Sequence, residues 1–197
     1  MLSDMEQSNG LPRSPELMSR GDTALLVVDV QEKLVPNIGQ SDRVVWNMRR
    51  LIDGAGILGL PVVGTEQYPK GLGPTVAELA DRLGPVPSKL TFSCGGCPGL
   101  FEPLRDRGIH KILICGIEAH VCIAQTVFDL LADGWRVFVA VDAVGSRFEI
   151  DAHTAIQRMD SAGATLTTVE AALFEWCETA ETPEFKRISQ LAREPGP

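Results

Sequence analysis

The chain has 197 residues, 44 % of them hydrophobic, and carries 18 Lys plus Arg against 26 Asp plus Glu, a formal charge of −8. That composition excludes a disordered or collagen-like chain, and a chain this long supports one domain with a real core without staples. The acidic balance argues against nucleic-acid or anionic-membrane binding, which needs clustered Lys and Arg, and no apolar run approaches the ~20 residues of a membrane span.

Residues 1–20 hold Ser, Gly, Pro and charge without periodicity, and are expected to form a flexible arm before a single domain over 21–197. The arm has no apolar signal-like stretch. Five cysteines, an odd number in a chain too long to need disulfides, favour a reducing compartment, so the expected location is cytoplasmic. ALLVVDV opens the domain as a β-branched run suited to a strand buried on both faces. PVVGTE, KILICG, RVFVAVDA and ATLTTVE read the same way, and SKLTFS is a weaker strand.

Helical patterns lie between them. SDRVVWNMRRLIDGAGILG opens on a Ser/Asp cap and ends in Gly59 before Pro61. PTVAELADRLG and GLFEPLRDRG are shorter, with Pro74 and Pro103 placed in their early turns. HVCIAQTVFDLLADG, EIDAHTAIQRMDSAG and TPEFKRISQLARE follow. Strands alternating with helices indicate βαβ units, whose right-handed crossovers place helices on both faces of a parallel sheet. Ligands of such sheets bind beyond the C-terminal strand ends, beside the point where strand order reverses.

That rule directs attention to a few residues. Asp29 closes the first strand, as a loop cap or as an acid or base at the sheet mouth. Cys122 falls in the first turn after KILICG, where unpaired amides and the helix dipole favour a thiolate and an oxyanion; the alternative is a buried inert thiol. Lys89 precedes LTF, either solvated or turned inward to lower a thiol's pKa. Cys115, inside its strand, reads as packing. Gln31 shares the strand-face parity of Asp29. Glu66, Gln67 and Tyr68 are expected at the pocket rim, Phe92 and Cys94 on its wall, and His120 is either a substrate contact or a helix-start residue. Asp142, Ser146 and Arg147 read as a clamp on these loops or as a carboxylate-binding group. Cys94 and Cys97 form a lone CxxC, the spacing of thiol–disulfide redox centres.

LLVVDVQEKLVP, TEQYPKGLGPT, SKLTFSC, ICGIEAHVC, QTVFDLLADGW, VDAVGSR and TTVEAALFE together resemble the isochorismatase-like cysteine hydrolases, which include nicotinamidases, N-carbamoylsarcosine amidases and ureidoacrylate hydrolases. The match runs from residue 24 to about 175, EFKRISQL continues it, and it is nearest to the isochorismatase domain-containing proteins. The resemblance implies a three-layer α/β/α fold with a mainly parallel, Rossmann-like six-stranded sheet. It also implies an Asp29–Lys89–Cys122 triad, a cis peptide at Ile117–Glu118, and an oxyanion hole from the backbone amides of Glu118 and Cys122. Nicotinamidases bind a metal through Asp and His after the second strand; TEQYPKGLG has no histidine, so no metal and no cofactor is expected. True isochorismatases lack the cysteine, which argues here for covalent amide-type hydrolysis. The expected function is hydrolysis of a C–N bond in a small amide or ureide through a thioester, by a homodimer or homotetramer. The alternatives are redox chemistry at Cys94 and Cys97, or a catalytically silent binding protein of this fold.

Overall fold

A computed structural model describes residues 11–197. Six strands, β1 (Thr23–Val28), β2 (Val62–Gln67), β3 (Ser88–Lys89), β4 (Lys111–Ile117), β5 (Arg136–Gly145) and β6 (Thr165–Thr167), form one parallel sheet in the order β3-β2-β1-β4-β5-β6. The chain reverses direction across the sheet between β1 and β4, so their C-terminal ends flank the switch point.

The helices are α1 (Ser41–Leu58), α2 (Pro69–Leu72), α3 (Ala77–Leu83), α4 (Glu102–Asp106), α5 (Ala124–Ala132), α6 (Glu149–Ser161), α7 (Val169–Cys177) and α8 (Phe185–Ala192). Strand side chains alternate between two apolar layers. Leu25 and Val27 of β1 face Met48, Leu51 and Ala55 of α1, Leu79 of α3, Leu173 and Trp176 of α7, and Ile188 of α8. Ala24, Leu26 and Val28 face Leu104 of α4, Ile123, Val127 and Leu130 around α5, and Met159 of α6. Both faces of the sheet are covered, which is why its strands read as continuous apolar runs.

Several boundaries differ from the expectation. ATLTTVE is half strand and half helix: Thr168 caps α7, its hydroxyl accepting from the Ala171 N–H, so local side-chain bonding ends the strand after Thr167. α1 is preceded by Gln40 in a left-handed conformation, with no Ser41 or Asp42 side-chain cap. α3 begins at Ala77, leaving Pro74 in the loop before it, whereas Pro103 does sit in the first turn of α4. Trp135 is core, against Phe101 at 5.9 Å between ring centroids and under the Arg105 guanidinium.

Residues 1–10 of the expected arm lie outside the described residues, and residues 13–18 make specific contacts with the domain. The Arg13 guanidinium donates to the carbonyls of Met18 and Glu175, the Glu175 carboxylate accepts from the Met18 N–H, and Met18 is fully buried. Lys111 Nζ donates to the Leu17 carbonyl at 2.7 Å and to Asp22 Oδ2 at 2.8 Å. One apolar anchor, the buried Lys111 and the exposed Arg13, both donating to backbone carbonyls, hold this segment across the N-terminal end of the sheet.

Two features of the sheet place the C-terminal loops. Ile114 pairs with Val139 but Gly116 pairs with Val144, so β5 bulges across Ala140–Ala143 and its exit is re-aimed. Gly116, at φ 132°, lies against β1 so closely that a Cβ would meet the Val28 carbonyl oxygen at 2.2 Å. Gly116→Ala is therefore expected to cost about 3 kcal/mol or more in urea unfolding, since backbone cannot yield. Gly56→Ala, on the exposed face of α1 with nothing near its Cβ, is expected to stabilise by about 0.5–1 kcal/mol in the same measurement.

Candidate active site

The site lies at the C-terminal ends of β1, β2, β3 and β4. Asp29 follows β1 directly, in a left-handed conformation with φ 54°, its N–H bonded to the Thr65 carbonyl at 3.1 Å and its carbonyl accepting from the Gln31 N–H at 2.9 Å. Leaving the strand in this way turns its side chain into the space above the sheet. Only two residues of SKLTFS are strand, because Lys89 turns inward. Its Nζ is 2.6 Å from Asp29 Oδ2 and also donates to Gln67 Oε1 at 2.9 Å, to the Phe92 carbonyl at 2.7 Å and to the Thr91 carbonyl at 3.3 Å. Both charged side chains are essentially inaccessible, 1 % and 0 % exposed. The loop after β3 is folded around the ammonium, which leaves Leu90 and Phe92 facing outward, Phe92 half exposed.

Asp29 Oδ1 accepts from the Thr65 hydroxyl at 2.8 Å, and the same hydroxyl oxygen lies 3.5 Å from Cys94 Sγ. Cys122 sits in a single π-helical turn, Ala119–Ile123, between β4 and α5, after a cis peptide at Ile117–Glu118. Widened turns of this kind recur at functional sites. The Val121 and Ile123 N–H groups both donate to the Glu118 carbonyl, at 3.1 and 3.2 Å. Thr126 Oγ1 donates to the Cys122 carbonyl at 2.6 Å and accepts from the Cys94 N–H at 2.9 Å, tying the loop before α4 to the cysteine turn.

Burial pushes the pKa of the Cys122 thiol well above the usual thiol range, the Asp29 charge adds to this, and the Lys89 charge opposes both. Of the two readings of its position, a thiolate or a buried thiol, the electrostatics favour the second. Burial is the larger cause; in addition the Lys89 ammonium is already directed at Asp29 and three other acceptors, and the turn is not the open first turn of an α-helix. Burial also raises Cys94, to about 11, and raises Cys115, which lies within the core.

The residues expected around the pocket divide into two groups. Gln31 and Gln67 are committed internally. The Gln31 amide donates to the carbonyls of Gln67 and Gly73 and accepts from the Gln67 N–H, while the Gln67 amide joins Lys89 Nζ to the Leu90 carbonyl. Glu66 Oε1 takes both the N–H and the hydroxyl of Thr75. Gln31 and Gln67 thereby hold the framework with little hydrogen-bonding capacity to spare, while Glu66 keeps its second carboxylate oxygen. Tyr68 and Phe92 are half exposed at the rim. His120 Nδ1 is 3.0 Å from Ser146 Oγ, and its Nε2 is 3.9 Å from Asp151 Oδ2, which joins the cysteine turn to the exit of β5 and the start of α6.

Glu118 is clamped from the same exit. The Arg147 guanidinium donates to it at 2.9 and 3.3 Å, and the Arg147 N–H donates at 3.1 Å. Burial alone would raise the Glu118 carboxyl, yet these donors hold it below the usual carboxylate range. Arg147 acts as the clamp, the first of the two readings of its sequence. Asp142 lies inside β5; its carboxylate caps α7 through the Val169 N–H and its carbonyl accepts from Asn47. Cys94 opens a short 3-10 turn and is fully buried, and Cys97 remains a free thiol. Thr65 and Thr126 were missed by sequence reasoning, since a threonine in a strand or helix carries no spacing signal.

Removing one partner of a buried, hydrogen-bonded ion pair strands the other charge. Lys89→Met is accordingly expected to lower unfolding free energy by about 3–5 kcal/mol in urea titration, and the double variant Lys89→Met/Asp29→Leu to recover part of that loss.

The isochorismatase domain family matches residues 23–171. Isochorismatase domain-containing protein 2 from Pongo abelii is 42 % identical over 179 residues, covering 90 % of this chain and 86 % of that protein. A solved structure described as MAR1 ribonuclease from Caenorhabditis elegans superposes with a TM-score of 0.84 at 40 % identity, covering 92 % of this chain and 94 % of the other. The Escherichia coli YcaC product, described as an octameric hydrolase of unknown specificity, superposes with a TM-score of 0.83 at 24 % identity, over 92 % and 93 % of the two chains. On the extent of the family match and the identity to these relatives, the chain belongs to the isochorismatase domain family.

Proposed function

We propose that this chain is a metal-independent cysteine hydrolase that cleaves the C–N bond of a small amide or ureide through a thioester on Cys122. The observation that carries the reading is the fully buried Asp29 carboxylate, held by Lys89 and Thr65 at the strand ends beside the turn that carries Cys122, whose thiol feels its charge. As Sγ attacks the substrate carbonyl carbon, the thiol proton passes to Asp29. The developing oxyanion is met by the backbone N–H groups of Glu118 and Cys122. Collapse of the tetrahedral adduct breaks the C–N bond, and Asp29 returns the proton to the leaving nitrogen. Water, deprotonated by Asp29, then attacks the thioester, releases the acid and restores the thiol.

Lys89 pairs with Asp29 and orients it. Gln31, Gln67 and Glu66 hold that pair and its loops, and Tyr68 and Phe92 supply an apolar rim for the substrate. Neither a metal nor a cofactor enters the scheme, and among the described residues no three His, Cys, Asp or Glu side chains converge on a metal position. The proposed setting is a cytoplasmic homodimer or homotetramer acting on a small molecule, with neither nucleic acid nor membrane as partner. No helix among the described residues is long and apolar enough to cross a membrane.

The competing redox reading has little support. Exchange needs an accessible, low-pKa thiolate, whereas Cys94 is fully buried with its pKa raised to about 11, and that of Cys97 is raised too. The ribonuclease description of the nematode relative does not fit a −8 chain as readily as acyl transfer does.

Cys122→Ala is expected to abolish amine release across a panel of small amides and ureides, followed by mass spectrometry. Turnover that survives the change would exclude Cys122 as nucleophile. Asp29→Asn separates the roles of the carboxylate. Removing its charge removes one cause of the raised thiol pKa, so the pH midpoint for iodoacetamide alkylation of Cys122 should fall while amide turnover is lost at least about 100-fold. Alkylation mapped to the Cys122 peptide reads the first effect and the amide assay the second.

A further inference from the structure

Thr65 and Cys94 have no step in the scheme above, yet Thr65 touches its base and Cys94 touches Thr65. Thr65 is 2 % exposed, and Asp29 and Cys94 are fully buried, so no bulk water intervenes. Asp29 has two carboxylate oxygens with different neighbours. Oδ2 faces the Lys89 ammonium at 2.6 Å, a group with donors only and no lone pair. Oδ1 faces the Thr65 hydroxyl at 2.8 Å, which both donates and accepts. Once Asp29 takes the thiol proton, its new O–H needs an acceptor. The ammonium cannot serve; the hydroxyl can, provided its own hydrogen has somewhere to go. Cys94 Sγ, 3.5 Å from the same oxygen, is that second partner.

We propose that Thr65 is a positioning residue for the proton exchanged between Cys122 and Asp29, and that Cys94 is the partner that lets its hydroxyl reverse. The inference rests on the hydrolase reading. With Asp29 ionised, the Cys94 S–H donates to Thr65 Oγ1 and the Thr65 O–H donates to Asp29 Oδ1. With Asp29 protonated at Oδ1, its O–H donates to Thr65 Oγ1, the Thr65 O–H donates to Cys94 Sγ, and the Cys94 S–H rotates away. Two hydrogens reorient, and no bond to hydrogen breaks beyond the original transfer from Cys122 to Asp29. Cys94 stays a neutral thiol throughout, in keeping with burial that pushes it up to about 11.

The backbone makes the arrangement exact enough to act in this way. The Thr65 carbonyl accepts the Asp29 N–H, so the residue that receives the proton and the residue that orients it are held by the same pair of strand ends. Thr126 holds Cys94 from behind, accepting the Cys94 N–H, and ties it to the Cys122 carbonyl. In both protonation states of the base, Asp29 and Thr65 thereby stay hydrogen-bonded in a dry site, where an unpaired polar group is costly.

The test uses the full chain and 4-nitrophenyl acetate as an activated acyl donor, with the nitrophenolate burst as readout of Cys122 acylation between pH 5 and 9. A burst in the wild type that vanishes in Cys122→Ala is expected. Its absence in the wild type, or its persistence in Cys122→Ala, would overturn the nucleophile reading itself. Thr65→Val should slow the burst at least about tenfold and move its acid limb to higher pH, because a donor that favours the carboxylate form is gone. Thr65→Ser should stay within about threefold of wild type with the limb unmoved. Cys94→Ala should slow the burst about three- to tenfold, and Cys94→Ser, which restores a donor and acceptor, should recover it. Thr65→Val at the wild-type rate with an unmoved limb, or Thr65→Ser as impaired as Thr65→Val, would assign the residue to packing alone. Should Thr65→Val fail to fold, the Cys94 pair decides: equal rates in Cys94→Ala and wild type would overturn the relay.

Discussion

The buried ion pair between Lys89 and Asp29 organises the C-terminal face of the molecule. It joins residues on β3 and at the end of β1, two positions apart in the sheet with β2 between them. Two opposite charges at 1 % and 0 % exposure persist only if their remaining hydrogen-bonding capacity is met. That requirement accounts for much of the surrounding structure. The loop after β3 gives up its strand conformation to bring the Thr91 and Phe92 carbonyls to the ammonium, Gln67 turns its amide oxygen to the same group, and Thr65 serves the far carboxylate oxygen.

The electrostatics of the cysteine follow from this pairing. A positive charge next to a thiol would ordinarily stabilise the thiolate, but here the ammonium is already paired, burial raises the thiol pKa and the Asp29 charge adds to it. In the proposed reaction such a thiol becomes a nucleophile as its proton moves to Asp29. The proposed chemistry is therefore concerted with substrate binding, in contrast to enzymes that keep a standing thiolate. The second clamp, between Arg147 and Glu118, has the complementary task of fixing the turn that presents Cys122. The β5 bulge delivers Arg147 and Ser146 to that turn.

Much of this was legible in the residue order. Continuous apolar strands alternating with helical patterns specify a parallel sheet covered on both faces, because burial on both sides removes the polar alternation. Asp29 stood out as an ionisable group closing an apolar strand, and Cys122 as a thiol just after another. The fates of Gln31, Gln67 and Glu66 were not legible. Each was expected at the pocket, and each bonds to framework atoms, in the case of Gln31 as far as 42 residues away. A polar side chain looks the same in sequence whether it faces a ligand or a backbone carbonyl. The docking of residues 13–18 was hidden for a similar reason, since a polar segment without periodicity can be held by a single buried Met18 and a few cations.

Taken alone, the order of residues determined the layered α/β architecture, the strand ends to inspect, and through shared motifs the family. These are local or additive properties: hydrophobic period, turn chemistry and motif content act through neighbours along the chain. The tertiary structure decided which groups meet and in what protonation state. It turned Lys89 toward Asp29, 60 residues away, raised the Cys122 thiol, which the residue order left open between a thiolate and a buried inert thiol, and brought Thr65 to Asp29 and Cys94 to Thr65. Those outcomes depend on burial and on distances between segments remote in sequence, and electrostatic energies vary steeply with both.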